Sequence, residues 1–153
     1  MQLNENEQAI VAELASAIDR LMIRSCTLAH SERVKQHAEL ESFFVERVKD
    51  NEELQLEFRR RCEGSLLSTS CRPTVDFDAL RTLFERVRQL GFSNILDKVL
   101  AYWTFARMCR MHAKEELAIP LLQELTGQIR DMLNEEDSKA LRDLLSRTEE
   151  FLA

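Results

Sequence analysis

The sequence contains little glycine and little proline, with three glycines and two prolines among its 153 residues. Proteins built from strands and tight turns need both residues, because glycine adopts positive φ angles and proline fixes the first turn position. Their scarcity favours long helices with short connections. We therefore expect an all-α fold, a single compact bundle of six or seven helices.

Cysteine is present, but without the pairing that indicates a metal or redox motif. The four cysteines, Cys26, Cys62, Cys71 and Cys109, are widely spread and contain no CxxC pair. The N-terminus is acidic and amphipathic, and it lacks the basic start and apolar core of a secretory signal. We therefore expect reduced thiols in a cytoplasmic protein. A chain of this length buries roughly two-thirds of its unfolded surface, so it needs no disulfide to fold.

Two further absences exclude classes of function. No run of about 18 apolar residues occurs, so we expect no helix that spans a membrane. The formal net charge is −6, and neither half of the chain is basic. Because a nucleic-acid binder needs a positive face to release counterions from phosphates, we expect no nucleic-acid partner.

The motifs of common catalytic sites are missing as well. No histidine follows a glutamate by three residues, as di-iron bundles require, and HExxH is absent. Three glycines can hardly build a GxGxxG or Walker A loop, and no serine lies in a GxSxG motif. We expect a protein that is not an enzyme and needs no cofactor. The 27 acidic residues leave a dispersed carboxylate pair open as an alternative.

The sequence does contain apolar residues at helical spacing along most of its length. We predict N-terminal helices within residues 5–63, a loop over 64–75 and C-terminal helices within 76–152, all in one domain over 1–153. Pro120 either starts a helix or kinks one that runs unbroken from residue 93. The residues expected to begin or end helices are Asn4 with Glu7 in a capping box, Gly64, Asp76, Gly91, Ser93, and Asp137 or Ser138.

The stretch 102–112, YWTFARMCRMH, holds the only tryptophan and the only tyrosine of the chain. On a helical wheel its helix is apolar nearly all round, which is typical of a central helix packed on most sides. We therefore expect the stretch to be core. The alternative is a small-molecule pocket near Tyr102, Trp103, Cys109 and His112.

Two cysteine–histidine pairs occur at helical spacing, Cys26 with His30 and Cys109 with His112. Brought together, they would form a tetrahedral Cys2His2 zinc site. Against this, Cys26 and His30 lie off the apolar stripe of their helix, whereas Cys109 lies in the middle of its own. Chance placement is the favoured interpretation, and no metal is expected.

A cluster of arginines, Arg59 to Arg61, is the strongest local charge feature. Cations at the last turn of a helix interact favourably with its dipole, which would explain these residues without a partner. The functional alternative is a dock for an acidic protein segment. The residues of that candidate dock are Arg59, Arg60, Arg61, Leu66, Leu67 and Arg72.

Several helices carry apolar residues beyond a single core stripe: Val11, Met22, Ile23, Val45, Leu56 and Ile119. Such a surplus often covers a self-association face. We therefore expect a protein–protein interaction module, such as an adaptor, regulator, chaperone or assembly subunit. We expect it to form a homodimer or larger homo-oligomer, and its other partner is unknown.

Residues 100–129 have a helix–turn–helix pattern carried by Ala106, Cys109, Leu117, Ala118, Pro120, Leu121, Leu122 and Leu125. This segment resembles helical-hairpin repeats of the tetratricopeptide kind and the C-terminal region of TssA-type (ImpA/VasJ) type VI secretion components. The glycine usual in the turn of that family is missing, and so is its downstream Trp-Pro segment. The resemblance covers about a fifth of the chain and implies an oligomeric assembly factor.

Overall fold

The computed structural model describes all 153 residues and contains helices but no strands. A short 3-10 helix, Glu115–Leu117, accompanies seven α-helices. The α-helices are α1 (Glu5–Ser25), α2 (His30–Arg47), α3 (Glu52–Thr69), α4 (Phe77–Leu90), α5 (Ile95–Met111), α6 (Ile119–Glu135) and α7 (Lys139–Glu150). The prediction of an all-α bundle with six or seven helices is confirmed. None of these helices combines the length and apolar character that crossing a membrane requires.

Two compact units can be distinguished along the chain. The N-terminal unit comprises Met1–Ser70 and Thr82–Ser93, and the C-terminal unit comprises Cys71–Arg81 and Asn94–Ala153. Helix α4 therefore supplies its first residues to the C-terminal unit and the rest to the N-terminal unit. The single domain expected over residues 1–153 stays a prediction.

Short polar side chains begin the helices, as the sequence predicts at most positions. Asn4 Oδ1 accepts the Glu7 backbone N–H at 2.8 Å, and Glu7 Oε1 accepts the Asn4 backbone N–H at 3.1 Å. This is the predicted capping box, which satisfies two backbone donors that the helix leaves unpaired. Asp76 accepts from the N–H of Ala79 at the start of α4, and Ser138 accepts from that of Leu141 in α7.

The prediction that Ser93 caps α5 is wrong by one residue. Asn94 is the cap, because its Oδ1 accepts the backbone N–H of Asp97 at 2.9 Å. The Ser93 hydroxyl donates instead to the carboxylate of Glu57. Gly91 ends α4 as expected, with a φ of 76° that only glycine adopts without strain.

The predicted loop over residues 64–75 is too long, because α3 continues through Gly64 to Thr69. Leu66 and Leu67 are buried, and each buried leucine contributes about 1.5–3 kcal/mol. This gain exceeds the roughly 1 kcal/mol that a glycine inside a helix costs. The connection between α3 and α4 therefore covers only residues 70–76.

The stretch 102–112 lies in the core of the C-terminal unit, as predicted. Its six buried apolar side chains are Tyr102, Trp103, Phe105, Ala106, Met108 and Cys109. The indole Nε1–H of Trp103 donates to Thr148 Oγ1 at 2.9 Å, and the Phe151 ring stacks on the indole. The Thr148 hydroxyl donates in turn to the Leu144 carbonyl at 2.7 Å. Trp103 thus ties α5 to α7.

Pro120 lies in the first turn of α6 and does not kink a longer helix, which decides between the two alternatives. Helix α5 has already ended at Met111, and Ala113 follows with a φ of 55°. The Lys114 N–H donates to the Cys109 carbonyl at 2.7 Å, which is the closing bond of a Schellman motif. Glycine is usual at such a position, and here alanine takes it at a conformational cost.

Replacing Ala113 by glycine should therefore stabilise the protein. We expect Ala113→Gly to raise the free energy of unfolding by about 0.5–1 kcal/mol, because glycine adopts positive φ without Cβ strain. Chemical denaturation measures the change. Ala15→Gly, at an exposed position inside α1, is the control and should destabilise by about 1 kcal/mol. Equal effects of the two substitutions would contradict the assignment.

The Trp103–Thr148 hydrogen bond gives a second prediction. Thr148→Val removes the acceptor and leaves a buried indole N–H unpaired, so we expect a loss of about 1–3 kcal/mol. Thr74→Val, at an exposed loop position, should change stability by less than about 0.5 kcal/mol. Thermal unfolding followed through Trp103 fluorescence reports both variants. A loss for Thr148→Val no larger than for the control would contradict the prediction.

Candidate functional site

An open, largely apolar groove lies between α1 and α2 in the N-terminal unit. It has a volume of about 630 Å³, which is room for several large side chains. Its lining residues are Ala12, Glu13, Ser16, Ala17, Arg20, Leu40, Phe43 and Phe44. We refer to this feature as the α1–α2 groove.

The groove forms because α1 and α2 meet through their core faces and leave unequal side chains beside the contact. Ile10 and Leu14 of α1 pack with Phe44 and Val48 of α2 in the core of the unit. Next to that contact, α1 carries the small residues Ala12, Ser16 and Ala17, whereas α2 carries Phe43. The surface is therefore low on one side and has a large aromatic ring on the other.

Phe43 is 59% exposed, whereas its neighbour Phe44 is 4% exposed. The two rings meet edge to face, with centroids 5.2 Å apart. The Arg47 guanidinium lies 5.5 Å from the Phe43 centroid and forms an ion pair with Glu13 across the groove. These contacts hold an exposed aromatic ring in one orientation, as an interface anchor requires.

Charged residues lie at both ends of the groove on α1. The hydrogen bond from Arg47 lowers the pKa of the Glu13 carboxyl, so Glu13 is anionic. Arg20, two turns further along, is exposed and takes part in none of the ion pairs of the chain. Along α1, the groove therefore has the paired carboxylate of Glu13 near one end, the unpaired guanidinium of Arg20 at the other, and small residues between them.

A second polar feature lies inside the same unit. We define the polar cluster as Arg33, His37, Glu41, Cys62, Glu63, Ser65 and Arg86, which come from α2, α3 and α4. Arg33, His37, Glu63 and Ser65 are buried. The sequence interpretation missed this cluster, because it considered only apolar residues when assigning the inward face of α2.

A signal for the cluster was present in the sequence. His30, Arg33, His37 and Glu41 recur at steps of three and four residues and continue into Phe44 and Val48 on the same helix face. The inward face of α2 is thus polar in its first half and apolar in its second half. The spacing of these residues alone, whether polar or apolar, identifies the inward face of α2 and with it the polar cluster.

Hydrogen bonds around His37 show how the cluster is held. Its Nδ1 lies 2.8 Å from the Arg33 carbonyl, which can only accept, and its Nε2 lies 3.1 Å from Ser65 Oγ. Burial is the largest influence on this ring and lowers the pKa of His37. The neutral ring therefore donates from Nδ1 and accepts the Ser65 hydroxyl at Nε2. Arg33 donates to the Leu28 carbonyl at 2.6 Å.

Two carboxyl groups meet at the other end of the cluster. Burial, and next the charge of Glu63, raise the pKa of Glu41. Burial also raises the pKa of Glu63, although Arg86 pairs with its Oε1 and acts in the opposite direction. Glu41 Oε1 and Glu63 Oε2 are buried and have no other partner. A proton on Glu41 would satisfy both oxygens, because Glu41 would then donate to the Glu63 carboxylate.

The buried thiols are not poised for chemistry. Burial, followed by the charges of Glu41 and Glu63, raises the pKa of Cys62 to about 12. Burial likewise raises the pKa of Cys109 to about 11. A thiol reacts as its thiolate, so neither residue has the properties of a nucleophile. None of the four cysteines forms a disulfide.

The arginines of the predicted dock do not lie at the last turn of a helix, because α3 continues to Thr69. Arg60 donates from Nε to the Leu90 carbonyl at 3.0 Å, and Arg61 pairs with Glu57 at 3.4 Å. These arginines lie in the middle of α3, so the dipole at its C-terminus does not explain them. Leu66 and Leu67 are buried in the helix and offer no loop contact. Arg59 is exposed, and Arg72 belongs to the C-terminal unit.

The four candidate zinc ligands are divided between the units, with Cys26 and His30 in the first and Cys109 and His112 in the second. Within neither unit do three or more His, Cys, Asp or Glu side chains form a group that could hold a metal ion. The His112 ring packs on Phe77, with centroids 5.5 Å apart. Its Nε2 is buried without a hydrogen-bond partner. The small-molecule pocket expected in this region stays a prediction.

No family model, curated protein or solved structure matches the chain. The resemblance of residues 100–129 to TssA-type components therefore stays a prediction.

The shared proton of the polar cluster gives a pH-dependent prediction. The folded state raises the pKa of Glu41 above its ordinary value of 4.5. Protonated Glu41 therefore makes its full contribution to the free energy of unfolding below pH 4.5. This contribution is lost as the pH rises through the folded-state pKa. Glu41→Gln keeps a donor toward Glu63 without titrating. We expect the variant to gain stability over the wild type as the pH rises from 4 to 8.

Urea denaturation at several pH values measures this difference. Glu39→Gln, at an exposed position on the same helix, is the matched control and should show no such pH-dependent gain. A difference between Glu41→Gln and wild type that is constant with pH would rule out the shared proton.

Proposed function

We propose that the protein is a non-enzymatic interaction module, such as an adaptor, regulator, chaperone or assembly subunit, and that its α1–α2 groove binds an α-helix of a protein partner. The observation that carries the proposal is Phe43, a large aromatic ring that is 59% exposed yet held in place. Because Phe44 and Arg47 already order this ring, a partner loses little conformational entropy in contacting it.

The shape of the groove supports a helix as its occupant. Ala12, Ser16 and Ala17 form a low floor that a helix can approach closely, and Leu40 and Phe43 form an apolar wall. Helices recognised in this way insert apolar side chains spaced three, four and seven residues apart. Glu13 and Arg20 at the two ends would set the direction of the bound helix by charge.

We include self-association in the proposal, as the surplus of apolar residues predicts. Met22 and Ile23 on α1 are exposed, and so is Ile119 in the C-terminal unit. Val11 and Val45 pack partly against the core and contribute less to a free surface. In the N-terminal unit, the exposed residues of this apolar surplus, Met22 and Ile23, therefore lie on α1, which forms one side of the groove.

Selection from a displayed library of amphipathic helices tests the helix-binding surface. We expect selected helices to bind with Phe43 at the centre of the contact, so Phe43→Ser should weaken them more than tenfold. Leu100→Ser is the matched control, since Leu100 is 48% exposed but belongs to the C-terminal unit. Its affinity for the same helices should equal that of the wild type. Helices that bind Phe43→Ser as tightly as wild type would refute the groove as the binding surface.

A further inference from the structure

We propose that the partner helix of the α1–α2 groove is α1 of a second copy of this chain, packed antiparallel to the first across a two-fold axis between Ser16 and Ala17. The inference rests on the proposed function, because it names the occupant of the same groove. Its basis is the arrangement of charge and size along α1.

Charge on α1 is self-complementary about that axis. Glu13 and Arg20 are seven residues apart, which is two helical turns or about 10.5 Å, so they share one face of α1. Ser16 and Ala17 lie at the midpoint between them. A two-fold axis through this midpoint brings Glu13 of one copy opposite Arg20 of the other, and does so twice. Isologous interfaces require this kind of self-complementary surface.

Size is complementary in the same arrangement. The side chains at the crossing point, Ser16 and Ala17, are small, so two α1 helices can approach closely there. Phe43 projects from α2 beside this surface, where a second copy would cover it. Arg20 has no ion pair within the chain, so the dimer supplies the partner that this cation lacks.

Charge reversal at the two positions tests the register of the interface. In Glu13→Arg, both contact positions of each copy are arginines. In Arg20→Glu, both are glutamates. Each variant alone places like charges opposite each other, so we expect its dimer dissociation constant to rise about tenfold or more. An equimolar mixture of the two variants places opposite charges at both contacts and should form a heterodimer of near wild-type affinity.

Sedimentation velocity of the full chain over a micromolar concentration series measures self-association, and native mass spectrometry identifies the heterodimer. Asp143→Arg is the control, because it changes the net charge as Glu13→Arg does. It is exposed on α7 in the C-terminal unit and should leave the dimer intact. Arg20→Glu breaks no ion pair within the chain, so its effect on dimerisation reports the interface directly.

Two results would overturn the inference. One is a wild-type chain that stays monomeric throughout the series. The other is a mixture of the two variants that dissociates as readily as each variant alone. If selected helices still bind at Phe43 in either case, the proposed function stands and only the second copy as occupant is lost. If helices fail to bind as well, both are lost.

Discussion

The rotation of α2 about its own axis is the constraint on which the rest of the N-terminal unit depends. Phe44 and Val48 point into the core with the apolar residues of α1 and α3. Because successive helix residues differ by about 100°, an inward Phe44 turns Phe43 outward along the edge of α1. The same rotation directs His37 and Glu41 inward on the preceding turns. The exposed aromatic ring and the buried polar cluster are two consequences of one packing arrangement.

The buried polar half of α2 is tolerable because most of its polar groups have hydrogen-bond or ion-pair partners. Both nitrogens of His37 are hydrogen-bonded, and Arg33 donates to a carbonyl in the connection before α2. Arg86 pairs with Oε1 of Glu63, and a proton on Glu41 would give the other Glu63 oxygen a hydrogen-bond donor. A shift of α2 along α3 by one turn would leave several of these groups buried and unpaired, which costs more than displacing apolar side chains. The polar cluster therefore fixes the register that the apolar core alone would specify less strictly.

Much of the fold was predictable because helix starts and apolar stripes are local properties of sequence. Asn4 and Ser138 cap helices as expected, whereas Ser93 does not, since Asn94 beside it offers the same chemistry one residue later. Residues 64–69 looked like a loop because glycine and hydroxyl residues dominate them. Their helical state follows from burial against distant parts of the chain, which local composition does not report. The groove was missed for the same reason, since Phe43 and Phe44 fit a helical stripe equally well.

If the α1–α2 groove binds helices and the antiparallel dimer forms as proposed, self-association would control the binding of other helices. In the proposed dimer, α1 of a second copy occupies the groove, so any other amphipathic helix would have to displace it from the same floor and the same Phe43 side chain. A partner must then bind more tightly than the dimer at the prevailing concentration of the chain, or bind only the monomeric fraction. Dilution or a stronger helix would favour the partner complex, whereas a high local concentration of the chain would favour the dimer. A modest dimer, held by small residues and two rim ion pairs, suits such an exchange better than a tight one, because surface ion pairs contribute little and release quickly.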